Sequence, residues 1–258
     1  MTADAIMVIA YRDLLKLLRD PARIAYSFIF PLLMIAVLGG SLQANLGVSA
    51  GYNLLTFTFT GVLAQTLFMS TSQGVISLIE DRENDFSQEM FVSPISRYAI
   101  VFGKMSGETL VALPQGAAVV VFGLVMGVPM TLPQLLAMIP VFIGVSLFGA
   151  AFGVLVLSNL GSRRAAEQVF TFIMLPMFIL TGVFTPIKVL PWALDALSRL
   201  LPMRYAVDLT RNAFYAGQPE YGQVVLEGPL FNALVMTVTF VVFLVLGTVL
   251  FVRREQNR

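Results

Sequence analysis

Long apolar runs separated by short polar connections dominate this chain, and they predict its main elements. A membrane-spanning helix needs about 20 mostly apolar residues. Six stretches fit that requirement, namely 24–42, 54–79, 100–125, 132–157, 168–184 and 230–252. The pattern therefore predicts an all-α integral membrane protein with six transmembrane helices.

The residues before the first span predict a helix of a different kind. Over residues 5–20, apolar side chains recur at helical spacing and form one stripe: Ile6, Ala10, Leu14, Leu17 and Leu18. The polar side chains fall on the opposite face: Arg12, Asp13, Lys16 and Arg19. Such an amphipathic helix lies in the membrane interface, and Asp20-Pro21 is expected to end it before the first span.

Residues 185–228 are too apolar for a solvated loop. The predicted fifth span runs directly into Thr185-Pro186, and the apolar stretch 187–201 is bounded and broken by Pro191 and Pro202. Backbone that leaves the helical conformation at membrane depth must be buried in protein or face a wet cavity. We therefore expect an external re-entrant helical hairpin between helices 5 and 6.

The distribution of Lys and Arg sets the orientation. All but four of the 16 basic residues fall in the two termini, the 79–98 connection with its flank, and the 158–167 connection. Because cytoplasmic loops carry the excess of positive charge, both termini are predicted to be cytoplasmic. Arg163 and Arg164 are then topology determinants or, alternatively, binders of anionic lipid headgroups. The expected location is the bacterial cytoplasmic membrane.

Composition agrees with a lipid-embedded chain and excludes several kinds of chemistry. Hydrophobic residues make up 57% of the 258 and charged residues 12%, about half the charged share of a soluble domain. We expect one transmembrane domain over 1–258. There is no cysteine and no histidine, which argues against thiol catalysis and the usual zinc site, and we predict no catalytic residue and no metal ligand. The net charge of +1 gives no reason to expect nucleic acid as a partner.

The cytoplasmic connection 79–98 is the most informative segment. It is strongly charged up to Glu89, then apolar over 90–92, and it stops at Ser93-Pro94. Phe86, Met90 and Phe91 share one face of a predicted short helix. The spacing fits a helix that docks into a partner's groove, and it fits an ordinary solvated loop equally well.

Polar residues inside the predicted spans are candidate mechanistic groups. Lys104 and Glu108 lie four residues apart near the cytoplasmic end of the third span, so we favour a mutual ion pair over a separate functional charge. Gln65, Gln73 and Gln115 either line a translocation path or hydrogen-bond across helices. The sequence leaves both alternatives open.

Three regions resemble ABC-2 type permeases. One region is similar to their cytoplasmic loop, above all in the branch of daunorubicin-resistance and nodulation-factor exporters. It consists of Glu80-Asp81-Arg82-Glu83, Phe86, Glu89-Met90, 92–97 and 100–104. Residues 19–21 with 30–33 resemble the start of the first span. Residues 181–186, 190–192, 201–202, 205 and 208–211 resemble the last external segment. One departure is Asp85, where the family usually has glycine, so the turn of the loop is expected to differ there.

The resemblance implies a division of labour between subunits. Family members are the membrane halves of ATP-driven exporters, so two copies of this chain, or this chain and a related permease, would pair with two copies of an ABC ATP-binding subunit. ATP and Mg would be bound by that subunit and no cofactor by this chain. The implied coupling residues are Glu80, Asp81, Arg82, Glu83, Phe86, Glu89, Met90, Phe91 and Pro94. The interfacial helix, with Arg12, Lys16 and Arg19, would receive the same push.

The resemblance also implies an external gate and an amphipathic substrate such as a drug, lipid or glycolipid. The implied gate residues are Phe184, Pro186, Pro191, Trp192 and Pro202. The chain lacks the phosphate-binding pattern G-x-x-x-x-G-K-[ST], since Gly103-Lys104 is followed by Met105. An ATP-driven process would therefore need another polypeptide.

Two other function classes are weaker. A self-contained secondary transporter or channel, not driven by ATP, would need ionisable residues near mid-membrane and paired interrupted helices, and neither pattern is visible. An intramembrane enzyme without histidine or cysteine would have to be a two-aspartate protease, and no aspartate falls in the middle of a predicted span.

Overall fold

The computed structural model describes residues 2–83, 96–157 and 160–256, and within these ranges the chain is helical without any strand. We number the helices α1 to α12 in chain order. Their bounds are α1 Thr2–Leu18, α2 Pro21–Leu33, α3 Gly40–Ala50, α4 Leu54–Gly74, α5 Ser77–Glu83, α6 Arg97–Val125, α7 Leu132–Val156, α8 Arg163–Leu180, α9 Trp192–Ser198, α10 Pro202–Tyr215, α11 Tyr221–Val224 and α12 Pro229–Gln256. A π-helical segment, Met34–Gly39, joins α2 to α3, and a 3₁₀ turn, Ile187–Val189, precedes α9.

Within the described residues, five helical stretches are long and apolar enough to cross a membrane. They are Ile24–Ala50, Leu54–Glu80, Tyr98–Val125, Leu132–Val156 and Pro229–Arg253. Each has at least 25 residues, and at about 1.5 Å per residue each exceeds the roughly 30 Å of a bilayer core. The predicted fifth span corresponds to α8, which is not among the five. That helix begins with Arg163, Arg164 and Glu167, so it has fewer apolar residues than its length suggests.

The helix α4 is the centre of the molecule. Of its most apolar window, 78% is buried, against 17% for the first spanning stretch and 22% for the last. The helix α7 lies against it at short range because Gly149 and Gly153 face its backbone. A Cβ at Gly153 would come within 2.6 Å of the Ser72 carbonyl oxygen, and the Ser72 hydroxyl donates to the Gly149 carbonyl at 2.8 Å. Small residues four apart permit this close packing of membrane helices.

Local capping explains where several helices begin. The side chains of Asn53, Ser96 and Ser162 each accept a hydrogen bond from the backbone N–H three residues later, at the starts of α4, α6 and α8. These caps satisfy N–H groups that have no partner within the helix. The starts of the second and third spans therefore lie close to the predicted positions.

Other boundaries differ from the prediction. Residues 43–50, predicted as a connection, are helical, and the first spanning stretch ends only at Gly51, whose φ of +76° is a left-handed cap that favours glycine. The helix α8 ends at Leu180 and not at residue 184, with Gly182 at φ +82° in the turn that follows. The N-terminal helix covers Thr2–Leu18 instead of 5–20.

The region 185–228 contains two short helices in succession, α9 and α10, and then the single turn α11. One face of α10 is buried against the central helices through Met203, Ala206 and Val207. The segment is therefore a packed part of the fold. Its position relative to the outer leaflet stays a prediction.

Candidate functional site

A cavity of about 520 Å³ lies between the first two spans. It is bounded by α2 and the π-helical segment, by α4 and α5, by one residue of α6 and by two of α8. Its apolar lining includes Tyr26, Phe30, Met34, Val62 and Met69. Its polar uncharged lining includes Gln65, Thr66, Ser70, Gln73 and Gln115.

The cavity reaches from the end of the second span near Glu80 to the middle of that span. Glu80 lines one end of the cavity, and Gln65 lies 15 residues earlier on the same spanning stretch, which at 1.5 Å per residue is about 22 Å away. Gln65 and Gln115 are only 4% and 2% exposed. The Nε2 atom of Gln65 is buried and has no hydrogen-bond partner among the described residues.

Among the described lining residues, the charged ones lie at the Glu80 end of the cavity, which we call its mouth. The Arg163 guanidinium donates to Glu80 at 2.7 Å and to Glu167 at 2.8 Å. All three side chains are at least 39% exposed, so each pair contributes at most about 1 kcal/mol to stability. Their effect is geometric, because they join the start of the cytoplasmic segment, α5, to α8 across the mouth. Asp20 completes the charged lining.

A buried ion cluster lies in the first half of α6. The Lys104 ammonium is 2.8 Å from Asp13 Oδ2 and 2.7 Å from Glu108 Oε1, and all three side chains are 2% exposed. The expected pair between Lys104 and Glu108 is therefore present. The third member, Asp13, comes from α1, 91 residues earlier in the chain. At its other oxygen Asp13 contacts Arg12 at 3.4 Å.

The N-terminal helix lies on α6 through the face that contains Asp13. Ile9, Ala10 and Leu17 are buried on that face. A Cβ at Gly107 would come within 2.9 Å of Asp13 Oδ2 and 3.0 Å of the Ala10 Cα, so glycine is what permits the contact. The prediction that Asp13 belongs to the polar, outward face is wrong, because this carboxylate turns inward to a buried cation.

Leu18, the last residue of the predicted apolar stripe, is 62% exposed, whereas Ile9, Ala10, Asp13 and Leu17 are buried. Met7, Val8 and Tyr11 are also exposed, and they form an apolar surface. The amphipathic pattern thus has its apolar residues on two faces, one against α6 and one facing outward.

The ion cluster also touches the end of the central helix. A Cβ at Gly74 would collide with the Glu108 carboxylate, so the carboxylate occupies the space that a side chain at this position would need. Gly74 itself lines the cavity. The helix α5 begins three residues further on. The cluster, the cavity and the start of the cytoplasmic segment therefore meet at one end of α4.

The external region is held together by buried polar groups. Asp208 accepts hydrogen bonds from the N–H groups of Leu226 and Glu227 at 2.9 Å and from Asn232 at 2.7 Å. Arg211, on the next turn of α10, donates to the Gly182 carbonyl at 2.6 Å and lies 3.7 Å above the Phe57 ring. These contacts tie α10 to the turn after α8, to the outer end of α4 and to the start of α12.

Burial and ion pairing shift two pKa values in this external region. Burial lowers the pKa of Arg211 to about 10, and nearby Asp208 opposes that shift. The hydrogen bond from Arg204, at 2.6 Å, lowers the pKa of Asp195 below its usual value. Arg199 adds a second bond to the same carboxylate at 2.8 Å.

Known proteins match nearly the whole chain. A family model for the ABC-2 type transporter matches residues 4–215. The chain belongs to the ABC-2 type transporter family. The resemblance expected from the cytoplasmic loop, the first span and the external segment is thereby confirmed.

Among curated relatives, the chain is 25% identical over 210 residues to ycf38 of Cyanophora paradoxa, named as a transport permease, covering 80% of this chain and 72% of the relative. It is 29% identical over 161 residues to YbhR of Escherichia coli K12, named as a multidrug ABC transporter permease, covering 59% and 43%. It is 25% identical over 183 residues to nodulation protein J of Rhizobium leguminosarum bv. trifolii, covering 70% of each. The chain thus spans less than half of the E. coli permease. It is a multi-pass membrane permease of the ABC transporter type.

In this ABC-2 permease, some of the predicted coupling residues lie outside the described residues: Phe86, Glu89, Met90, Phe91 and Pro94. The backbone of Asp81, Arg82 and Glu83 is helical in α5. Glu80 is at the mouth of the cavity, bonded to Arg163. The role of this segment in coupling stays a prediction.

The other predicted site residues fall in separate places. All three glutamines, Gln65, Gln73 and Gln115, line the one cavity, although their role in a path stays a prediction. Lys16 on α1 and Arg19 directly after it are exposed, and Arg12 is half-buried.

The predicted gate residues do not line the cavity. Phe184 packs on Phe178 with ring centroids 4.9 Å apart, and Trp192 is 84% exposed. Pro191 is exposed, and Pro186 and Pro202 are half-buried. Their role as a gate also stays a prediction.

Sequence reasoning missed the burial of four charged residues, Asp13, Arg204, Asp208 and Arg211. A signal was present for Asp13, because it lies three residues after Ala10 and four before Leu17, on the same helical face. For Arg211 no comparable signal exists. Its partners are backbone carbonyls and an aromatic ring from distant parts of the chain.

Proposed function

We propose that this chain is the membrane-spanning permease subunit of an ATP-driven exporter for an amphipathic substrate, and that it pairs with a separate ATP-binding subunit. The observation that carries the proposal is the family match over residues 4–215, which covers both the cavity-forming spans and the cytoplasmic segment. The cavity supports it, since a 520 Å³ space reaching mid-membrane suits a molecule with an apolar and a polar part.

The proposed topology has six spans, with α8 as the fifth. In support, α8 borders the cavity mouth through Arg163 and Glu167, beside the cytoplasmic segment, and ends in the external region at Leu180. A helix of 18 residues is about 27 Å long, close to the thickness of a bilayer core. Both termini are then cytoplasmic, in a bacterial cytoplasmic membrane. The region 185–228 re-enters the outer leaflet and caps the path with the predicted gate residues.

The proposed coupling mechanism uses the junction at the end of α4. Two ATP-binding subunits close on two copies of the 79–98 segment and push on α5. The push reaches the cavity directly, because Glu80 and Gly74 are part of its lining. It also reaches α1, because Glu108 lies against Gly74 and shares Lys104 with Asp13. The buried cluster thus links the interfacial helix α1 to the end of α4.

The test is ATP-dependent transport by the reconstituted permease and its ATP-binding partner. The partner should co-purify with the permease, and transport of a lipid-like fluorescent substrate in proteoliposomes should require hydrolysable ATP. Phe86→Glu should abolish transport while membrane insertion and the fold are retained. Gln223→Glu, an exposed residue of α11, is the matched control and should leave transport unchanged.

Transport by this chain alone, driven by an ion gradient and indifferent to ATP, would refute the exporter proposal and support the secondary-transporter alternative. Normal ATP-dependent export by Phe86→Glu would refute the docking role of the 79–98 segment alone.

A further inference from the structure

Gln65 is an unusual residue for the middle of a membrane helix. Its side chain is 4% exposed, it lines the cavity, and its amide nitrogen has no partner among the described residues. A buried amide donor without a hydrogen bond destabilises a protein, and in lipid water cannot readily compensate. A leucine would fit the same space at no such cost. The amide is therefore explained better by a ligand than by the fold.

No hydroxyl oxygen or carbonyl among the described residues accepts a hydrogen bond from this donor. Gln115, 2% exposed, faces the cavity from α6. Two carboxamides from two spans thus border one space at mid-membrane depth. A half-turn about the last side-chain bond lets each carboxamide present either its N–H or its carbonyl to a ligand.

The cavity lining is segregated by charge. At the depth of Gln65 the lining consists of amides, hydroxyls and apolar side chains, whereas the four charged lining residues lie at helix ends on the cytoplasmic side, namely Asp20, Glu80, Arg163 and Glu167. A charged headgroup beside Gln65 would lose its hydration and meet no counter-ion among the described lining residues, which is costly in a bilayer. An uncharged headgroup with hydroxyl, ether or carbonyl oxygens could form hydrogen bonds with the amides and hydroxyls of the lining.

We infer that the cavity binds an uncharged amphiphile, and that Gln65 and Gln115 are its specificity-determining residues. The oxygen-bearing headgroup accepts a hydrogen bond from the Gln65 amide. The apolar tail lies against Tyr26, Phe30 and Met34 on the first span, and against Val62 and Met69 on the second. This inference rests on the proposed function, because it identifies the cavity as the place where the transported molecule is selected.

The experiment measures binding to the full-length permease in phosphatidylcholine nanodiscs. The probes share one tail and differ in headgroup: decyl glucoside, decyl phosphate and decyltrimethylammonium, each below its critical micelle concentration. Wild-type protein should bind the glucoside at least about tenfold more tightly than either charged probe. Gln65→Leu and Gln115→Leu should each weaken glucoside binding about three- to tenfold, the range expected for one hydrogen bond. Gln223→Leu, the same substitution at an exposed site outside the cavity, should change nothing.

A second readout separates a ligand site from a structural role. Without probe, Gln65→Leu should have a Tm equal to or above wild type, because the substitution removes an unpartnered buried amide. The glucoside should then raise the Tm of wild type more than that of the variant. If Gln65→Leu gives too little protein, Gln65→Met serves the same comparison, since methionine also lacks the donor and is of similar length.

Three results would overturn the inference. Equal affinity for all three probes would remove the charge selectivity. Unchanged glucoside binding in Gln65→Leu, or a lower Tm without probe, would show that the amide is satisfied within the protein. Weaker glucoside binding by Gln65→Leu that is accompanied by loss of self-association would show that the substitution acts through the pairing of two copies and not through the amide. None of these results depends on ATP, so ATP-dependent transport tests the proposed function separately.

Discussion

The buried cluster of Asp13, Lys104 and Glu108 gives the sharpest prediction about stability. In Lys104→Met the apolar replacement fills most of the space of the lysine stem. The two carboxylates, each previously within 2.8 Å of the ammonium and 2% exposed, lose their shared cation. They must then remain charged without this buried cation or become protonated. Either outcome destabilises the folded state.

Breaking a buried ion pair by removing one partner costs about 3–5 kcal/mol. In a protein of this size, 1 kcal/mol shifts the Tm by about 2–4 °C, so the expected drop is about 6–20 °C. The assay is thermal unfolding of purified protein in one mild detergent, followed by size-exclusion chromatography of the heated samples. Because Asp13 comes from α1, faster proteolysis of the N-terminal helix should accompany the lower Tm.

Two comparisons separate this effect from a general sensitivity to mutation. Arg163→Gln removes two ion pairs of similar length but at half-exposed positions, each contributing at most about 1 kcal/mol, and should shift the Tm by no more than about 4–8 °C. The triple variant Asp13→Asn, Lys104→Met, Glu108→Gln removes the uncompensated charges and should recover much of the loss. A Tm of Lys104→Met within 2 °C of wild type, or a triple variant no more stable than the single one, would refute the reasoning.

Three further predictions concern the rest of the fold. Asp208→Ala removes the carboxylate that accepts three hydrogen bonds from residues 226–232. Proteolysis near residue 227 should therefore become faster. Unchanged cleavage would contradict the role of Asp208 as an anchor of this segment. The pKa of Asp195 is lowered in the folded state by Arg204, so its stabilising contribution is present above the unfolded pKa of about 4 and is lost as the pH falls through the folded value. The Tm of wild type should therefore fall more steeply below about pH 4 than that of Asp195→Asn, and parallel curves would contradict this. Gly153→Leu forces a side chain against the Ser72 backbone and should abolish accumulation of folded protein, as measured by fluorescence-detected size-exclusion chromatography. Gly144→Leu is the control and should be tolerated, because Gly144 has open space around it.

The sequence alone predicted the spans because the relevant property is local. Whether 20 consecutive residues are apolar depends only on those residues and on the thickness of a bilayer. Helix starts were predictable for the same reason, since Ser96 and Ser162 cap helices from positions three residues before the groups they bind. The length of α8 was harder to predict. Its first turns contain Arg163, Arg164 and Glu167, so the apolar part of the helix is shorter than its 18 residues.

Partners distant in sequence could not be read from the pattern. The spacing of Asp13 from Ala10 and Leu17 places it on their face of α1, but it does not identify the cation that Asp13 meets, because Lys104 is 91 residues away. The sequence likewise does not show that Gln65 and Gln115 border one cavity, because they come from different spans. They line the same cavity only once α4, α6 and α2 are packed together.

The sequence by itself determined that the chain is a helical membrane protein, where most spans begin, and which family it belongs to. Only the tertiary structure decided which polar groups are buried together, namely the ion cluster on α6, the two glutamines of the cavity and the contacts of Arg211. The physical reason is that transfer into lipid depends on the composition of each segment. The pairing of buried charges and amides depends instead on how helices distant in the chain approach one another.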